Sequence, residues 1–554
     1  MKNVRQMFCV LVFCGFSTII SALPAQKLIY PGEWIYDALT ALSLEQGIVF
    51  FTGTALTVNQ IENMLAKIDE SALSDSGMAM YERIQAYLNT PNLFSLSTGA
   101  LDLYADAALQ PEVYFKTNET LDWNYRHGDR MRFLMFPAGM AISKYVVLES
   151  ELYVGENRRI SEAHDNYFNF PFDKMIDRVT PIETNMPRRA YLSAGIPLWD
   201  ASGINFRIGI GEDNIGRTQT DSIVFSDSVK AVNYAMLTFY SPRVKFSSEV
   251  KQLEVNKYLY LHNFQIQLFR RFSLGFVEGV MANAPFEIRF LNPMMIFHGF
   301  NAWEDNYKKY NEELNVEDNL ERIGSYAALV LNWQPAQFIR IYGLGALNQF
   351  ELPYERGSDS TVPDSLAFQL GFESFIPVPT GHWTFGLEGV YTSPYMYILR
   401  HRNWSFYRES RENSNPPIYE WVGTSFGPDA IAGKIWVGYK DTSLWEASLS
   451  FLTLVQGENS SFSIFDPEIR PDGHDPQTPE EATALSPTGT PSYTYQIRAF
   501  GKWVYSDLLT FSCQTGYTIV QNFGHKRNNL QHGFEISLSV QLFPRALRTF
   551  PLTL

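Results

Sequence analysis

The chain has 554 residues and a formal net charge of −15, from 44 basic and 59 acidic side chains. An acidic excess of this size argues against general binding of nucleic acid. Apolar residues make up 45% and aromatic residues 15% of the chain, so it can bury a core. So many aromatic rings suit a membrane girdle or a surface that stacks on carbohydrate.

The first residues predict a targeting segment. Lys2 and Arg5 carry positive charge, and residues 8–20 form an apolar run, which is the pattern of a secretory signal peptide. A membrane-anchor helix is the alternative, but the run is short for one. We therefore predict a signal peptide over residues 1–25. Once it is removed, Cys513 is the only cysteine, so we expect no internal disulfide.

Residues 26–95 predict a small helical head. Apolar residues recur at helical spacing from Trp34 onward, and Gly47 can end the first helix. Thr57 and Gln60 have the spacing of a capping box, which begins a second helix, and a third helix follows. We expect this head to form a periplasmic plug or collar. Its first two helices also resemble an S-layer-homology unit, but without repeats.

Beyond the head the apolar period changes to two, which is the period of β-strands. Leu366, Phe368 and Leu370 alternate with polar residues, and similar patterns recur to the end of the chain. After residue 25 no apolar run reaches the ~18 residues of a membrane-spanning helix. An exported chain of this kind is either a large soluble protein, such as a β-sandwich, or a membrane barrel.

The connections between the predicted strands alternate between short and long. Short ones lie at 241–243 and 270–271, whereas a long one runs over 393–430. Outer-membrane barrels have short periplasmic turns and long outer loops in this order, which a sandwich has no reason to keep. We therefore predict an all-β fold, a transmembrane antiparallel barrel of about eighteen strands over residues 96–545, followed by a tail over 546–554.

Charged side chains fall on the inward face of the predicted strands. A barrel of about eighteen strands leaves an aqueous channel unless the head or the long loops fill it. The side chains that we expect to line this polar lumen are Glu373, Glu446, Arg498, Lys502 and Glu535.

Loop 391–421 combines aromatic and basic side chains. Aromatic faces stack on sugar rings and Arg forks bind carboxylates, so an acidic polysaccharide suits this mixture. The alternative is packing within the loop, with ion pairs to acids such as Glu409. The residues that we predict to contact polysaccharide are Trp303, Tyr395, Tyr397, Arg400, Arg402, Trp404, Tyr407 and Arg408.

Two further loops have unusual compositions. Loop 282–323, which contributes Trp303, begins with a stretch that is apolar enough to fold inward. Loop 455–492 carries Asp466, Glu468 and other acids that could hold a calcium ion, although their spacing matches no EF-hand. A solvated, mobile surface loop is the reading that we favour.

Catalytic and metal-binding signatures are weak. The sequence has no His-Glu-x-x-His and no spaced cluster of cysteine or histidine. We expect neither an enzyme nor a cofactor or metal site.

Three stretches carry a family resemblance, at residues 207–213, 287–293 and 391–397. Together with the order of a helical head followed by a barrel, these stretches resemble the Wzi capsule-assembly family. The resemblance implies an outer-membrane barrel with a periplasmic helical part, whose loops face the cell exterior and retain capsular or other surface polysaccharide. Its other partners would be the lipid bilayer and the outer-membrane assembly machinery. A porin or uptake channel, and an adhesin without a small-molecule role, are the alternatives.

Overall fold

The computed structural model covers the predicted head and barrel. It describes residues 23–542 except for positions 91, 122–130, 156–167, 170–171, 174–177, 180–186, 188, 200, 298–322, 352–353, 355, 400–401, 411–416, 443, 467, 469, 471–472 and 507. The predicted tail and nearly all of the predicted signal peptide therefore lie outside the described residues. The same holds for two predicted ligand residues, Trp303 and Arg400.

The head contains three α-helices, α1 (Trp34–Gln46), α2 (Val58–Leu65) and α3 (Asp75–Asn89). The first ends at Gly47, whose φ of 62° lies in the left-handed region that favours glycine. Thr57 and Gln60 form the predicted capping box at the start of α2. Side chains such as Leu42, Ile61 and Ile84 bury a common apolar core. None of the described helices has the length and hydropathy to cross a bilayer.

The described residues beyond the head form a closed antiparallel barrel of 18 strands, as the sequence predicts. The first strand, β1, is broken into Leu101–Ala105, Ala108–Leu109 and Glu112–Lys116. The others are β2 Leu134–Ile142, β3 Val146–Val154, β4 Arg189–Pro197, β5 Gly203–Gly211, β6 Val232–Tyr240, β7 Val244–Glu254, β8 Lys257–Phe269, β9 Phe272–Asn283, β10 Ile323–Trp333, β11 Ile339–Gln349, β12 Ser365–Val378, β13 Gly381–Thr392, β14 Ala430–Asp441, β15 Trp445–Gln456, β16 Ser492–Ser506, β17 Leu509–Gln521 and β18 Leu530–Leu542. Pairing of β18 with β1, for example Ser537 with Tyr114, closes the barrel.

The exterior of the barrel is apolar, as a lipid-facing wall requires. Phe368, on β12, is 55% exposed and Phe534, on β18, is 38% exposed, and both point away from the lumen. Half-exposed tryptophans mark the short-turn ends of several strands, where an interfacial girdle is expected. These are Trp333, Trp383, Trp445 and Trp503.

The head sits at the short-turn end of the barrel, because its backbone bonds to several short turns. The Val49 amide donates to the carbonyl of Arg270, and the Phe338 amide donates to the carbonyl of Leu44. Lys67 donates to the carbonyl of Pro242. Long loops occupy the opposite end, apart from the tight turn at Val255 and Asn256 between β7 and β8.

The start of loop 282–323 corrects our expectation that it folds inward. Residues 284–297 lie on the outside of the wall, where Phe290 packs against the outward-facing Tyr260. The inner side is already occupied at this height, because Val277 and Met281 of β9 share a core with Phe225 of loop 212–231. The apolar stretch therefore has only the exterior to cover.

Candidate functional site

Loops at the outer end of the barrel share one aromatic core, which we call the outer cap. It consists of the described residues of 212–231, 393–429 and 457–465. Tyr397 joins these loops, since its hydroxyl donates to the carbonyl of Ile223 at 2.7 Å and its amide donates to Asn348 at 3.0 Å. Its φ of 71° is unusual for a bulky residue and places local strain at the centre of the cap. Burial raises the pKa of its phenol.

Stacked rings fill the rest of the cap. Trp421 lies parallel to Phe462 with ring centroids 4.2 Å apart. Tyr407 contacts Phe465 at 5.2 Å, and the Lys257 ammonium lies 3.7 Å from the centroid of the Tyr407 ring. These contacts combine large apolar burial with aromatic and cation–π attraction, so the cap is a packed core rather than a set of free loops.

The predicted polysaccharide residues in the described part of the chain all lie in the cap, but most are buried. The exposed fraction is 5% for Tyr395, 0% for Tyr397, 5% for Trp404, 2% for Tyr407 and 8% for Arg408. Arg402 differs, because 38% of its side chain is exposed. In this conformation the aromatic rings lie beneath the surface of the cap. Of the described residues in the predicted set, Arg402 is the one that reaches this surface.

The two arginines of the set that the structure describes are ion-paired within the cap. Arg408 Nε donates to Glu420 at 2.8 Å. Arg402 lies 3.2 Å from Glu409, which belongs to the same short hairpin, 407–410 with 418–421, as Arg408 and Glu420. The ion pairing proposed as an alternative from the sequence is therefore present. It leaves Arg402 accessible from one side.

Loop 212–231 descends from the cap into the lumen, a feature that the sequence does not predict. The Glu388 carboxylate on β13 accepts from the backbone amides of Gln219 and Thr220, each at 2.8 Å, and from the hydroxyl of Tyr342. Glu388 is 3% exposed, so these bonds offset the cost of burying its charge. The inward position of Glu388 can be read from strand parity, but its loop partner cannot.

The inserted loop meets the head inside the barrel. Arg217 of the loop lies 2.6 Å from Asp37 on α1, and Lys440 of β14 pairs with the same carboxylate. Burial would raise the pKa of Asp37, but Lys440 and Arg217 together hold it below its usual range. One carboxylate thus connects loop, head and wall.

A second charged cluster joins the head to β4. Arg189 lies 2.8 Å from Glu212 and 3.6 Å from Glu151, with Glu33 of the head at 4.0 Å. Burial raises the pKa of Glu33 to about 8, although Arg189 opposes this shift. Burial thus favours the neutral form of Glu33, and this form reduces repulsion among the three carboxyl groups.

The predicted lumen residues face inward, and they divide into two groups. Glu373 pairs with Arg340 at 2.6 Å and, like Glu535, is 8% exposed. Arg498 is partly exposed, and the side chains of Glu446 and Lys502, which are 13% and 19% exposed, lie 3.4 Å apart. The inward side chains of β16 are therefore less completely buried than those that pack against loop 212–231.

The described residues offer little for catalysis or metal binding. No cluster of His, Cys, Asp or Glu that could hold a metal ion occurs among them. Residues 423–427 read Gly-Thr-Ser-Phe-Gly, the spacing of a nucleophile elbow, but they lie in turns of the cap rather than between a strand and a helix.

Solved structures of outer-membrane proteins resemble this fold. Wzi of Escherichia coli, an outer-membrane protein involved in group 1 capsule assembly and a carbohydrate-binding β-barrel, aligns with a TM-score of 0.57 and 12% identity over 93% of this chain and 99% of that chain. OprD from Pseudomonas aeruginosa has a TM-score of 0.39 and 9% identity, covering 79% of this chain and 93% of its own. The channel DcaP of Acinetobacter baumannii has a TM-score of 0.33 and 9% identity, covering 80% of this chain and 98% of its own. No protein-family model and no curated protein matches the sequence.

The likeness to Wzi concerns the fold, since the identity is low. It agrees with the closed wall of 18 antiparallel strands and with the apolar, tryptophan-edged exterior described above. This chain is an outer-membrane β-barrel protein.

Proposed function

We propose that this protein binds surface polysaccharide on its outer cap and holds it at the cell exterior. The observation that carries the proposal is the cap itself, in which loops rich in aromatic and basic residues form a packed surface over the outer end of the barrel. A packed surface is already ordered, so a long polymer can bind without the cost of ordering free loops. Wzi, the structure of similar fold, is described as carbohydrate-binding.

Arg402 is the residue that we propose contacts the polymer. Its guanidinium is partly exposed, and Glu409 and the Tyr407 hydroxyl hold it from the cap side. A guanidinium fixed in this way can still donate to a carboxylate from its free edge. We therefore favour an acidic polysaccharide over a neutral one. Trp303 and Arg400 stay in the proposed site as expectations from the sequence.

The test compares Arg402→Ala with a matched change on another outer loop, Lys526→Ala, whose side chain is also exposed. Binding of polygalacturonate and of neutral dextran to the purified protein in nanodiscs would be measured by calorimetry. We expect Arg402→Ala to weaken polygalacturonate binding roughly tenfold, as loss of one charge-assisted contact does, and Lys526→Ala to have little effect. Equal binding by all three proteins, or none by the unchanged protein, would contradict the proposal.

A channel for small solutes is the second candidate, and one observation favours it. The inward-facing Arg498 and Lys502 on β16 stay partly exposed although they lie inside the barrel, with 19% of the Lys502 side chain exposed. A narrow aqueous path beside them would give small conductance steps in a planar bilayer. Reversal of charge at Lys502→Glu would shift the ion selectivity of such steps toward cations. A silent, correctly inserted barrel would exclude this candidate.

A further inference from the structure

The segment at residues 284–297, which we call the flap, lies on the membrane side of the wall. On β8, Tyr260 shares the outward face with Phe264, which is 40% exposed, yet Tyr260 is 0% exposed. On β9, Val280 shares the outward face with Phe276, and the exposed fractions are 1% and 45%. The outward side chains are thus exposed near the middle of the wall and covered by the flap nearer its outer end.

Specific contacts hold the flap against the wall. The Phe297 ring stacks on His262 with centroids 4.2 Å apart, and the Phe290 ring lies 4.9 Å from that of Tyr260. The Glu287 amide donates to the Tyr260 hydroxyl at 2.9 Å. Two aromatic anchors and a hydrogen bond fix the flap, so its position is a feature of the fold rather than a chance contact of a free loop.

The outer face of the flap is strongly apolar. The charges of Glu287 and Arg289 are paired with each other at 2.8 Å. Exposed apolar side chains surround them, and their exposed fractions are 51% for Phe286, 77% for Ile288, 88% for Met294 and 73% for Ile296. Such a patch is unfavourable in water and marks a surface that contacts lipid or another protein.

The height of the flap favours lipid. From Leu268 to Tyr258 strand β8 rises ~34 Å along its own axis, or ~26 Å along the barrel axis at a tilt of ~40°. The apolar band of an outer-membrane barrel is ~25 Å tall. Counted from Leu268 at the inner edge of this band, His262 lies at ~16 Å and Tyr260 at ~21 Å, within its outer half, and Tyr258 lies at its outer edge.

The wall beneath the flap is too polar to face acyl chains by itself. His262 on β8 stands opposite Glu278 on β9 and opposite Ser248 on β7, all on the outward face. Polar groups on the lipid side of a barrel are destabilising in a depth-dependent way. A cover that turns apolar side chains outward would restore the apolar band on this sector.

We propose that the flap is a lipid-contact element, whose exposed apolar side chains pack among the acyl chains of the outer leaflet. It seals the polar sector of β7–β9 from the membrane and fixes the height of this side of the barrel. This role is independent of any ligand of the outer cap.

Spin labels on single cysteines test the proposal in lipid vesicles. The three native cysteines, Cys9, Cys14 and Cys513, would first be replaced, and Met294→Cys and Ile296→Cys would then be made singly. The lipid-facing control is Phe368→Cys, and the aqueous control is Leu485→Cys, on an outer loop where Leu485 is 78% exposed. Collision of the label with oxygen, which partitions into acyl chains, would be compared with collision with a water-soluble nickel chelate.

We expect the labels at 294 and 296 to match the label at 368, with an oxygen-to-nickel accessibility ratio several-fold above that at 485. A ratio equal to that at 485 would show that the flap faces water and would overturn the proposal. Spin–spin broadening at 294 that persists as the protein is diluted into more lipid would show that a second copy covers the flap, which also overturns it. Because these substitutions replace exposed side chains, the contacts of Phe290 and Phe297 with the wall stay intact.

Discussion

The inner faces of β7 and β16 differ in a way that shows how the lumen is used. Along β7 the inward side chains Lys245, Glu249 and Lys251 are each no more than 3% exposed, and all face the head or loop 212–231. Along β16 the corresponding side chains, including Arg498, are only partly buried, and 19% of the Lys502 side chain is exposed. The same alternation of polar residues therefore gives fully buried ion pairs on one side and a less completely buried lining on the other. Contact with the head and with loop 212–231 accounts for the fuller burial along β7.

Deletion of the part of loop 212–231 that enters the lumen should have the largest effect. Deletion of residues 216–224, which include the contacts of the loop with Asp37 and Glu388, should raise the single-channel conductance roughly tenfold or more, because a barrel of this strand number is wide enough for water. Planar-bilayer recording measures it. Deletion of residues 357–361, which lie largely exposed in another outer loop, is the control and should leave conductance unchanged. An unchanged trace from the first deletion would mean that the head alone closes the lumen.

Loss of one lysine from each face tests the comparison directly. Lys251 lies 2.6 Å from Asp213 and 2.7 Å from Glu249, so Lys251→Met leaves two buried carboxylates unpaired and should cost ~3–5 kcal/mol. In Lys502→Met, Glu446 keeps Lys440 as a partner at 3.6 Å, so the cost should be smaller, ~1–2 kcal/mol. The free energy of unfolding in urea, followed by tryptophan fluorescence in vesicles, gives both values. Similar losses in the two variants would show that burial does not separate the two faces.

The Glu388 contacts should contribute an intermediate amount. Glu388→Ala leaves the amides of Gln219 and Thr220 and the Tyr342 hydroxyl without their acceptor, which should cost ~2–3 kcal/mol. We also expect brief channel openings, because the loop can then leave the wall. Glu388→Gln keeps one acceptor oxygen and should show fewer openings than the alanine variant. If the alanine variant shows no more channel openings than the unchanged protein, the cap alone holds the loop in place.

The smallest effect is expected at Asp37, where loop, head and wall meet. Asp37→Asn should cost about 1 kcal/mol, because the carboxylate is partly exposed and Lys440 keeps Glu446 as a partner. Since the pKa of Asp37 is lowered in the folded protein, its contribution is complete above the ordinary carboxyl range of about 4 and is lost as the pH falls below it. The free energies of unfolding of the unchanged protein and of Asp37→Asn should therefore differ more at pH 7 than at pH 3. A larger difference at pH 3 would contradict this sign.

The wall was predictable from the sequence because its pattern is local. Alternation such as that around Phe368 reports which face meets lipid, and short turns such as 241–243 report which end meets the head. The same reasoning placed Glu373 and Glu446 on the inner face. It could not identify their partners, because Glu373 accepts from Gln219, which lies in a loop more than a hundred residues away in sequence.

The candidate site was predictable only in part. Sequence placed Arg402 and Tyr407 in an outer loop, but ring stacking and burial within the cap follow from three loops that meet only after folding. The flap shows the same difficulty, because an apolar stretch can cover either side of a wall. The occupied lumen beside Met281 decides the side, and periodicity does not report it.

The aromatic core of the cap also bears on how long the protein stays in its membrane. Its loops must cross the bilayer as extended chain and can stack their rings only on the far side, where Trp421 meets Phe462. Once assembled, the core is packed against inward-facing strand residues such as Tyr326 and Ala367. Extraction of the barrel then requires this core to come apart first, which raises the barrier to unfolding rather than the equilibrium stability alone. The lifetime of the inserted protein is thereby set in part by residues that never touch lipid.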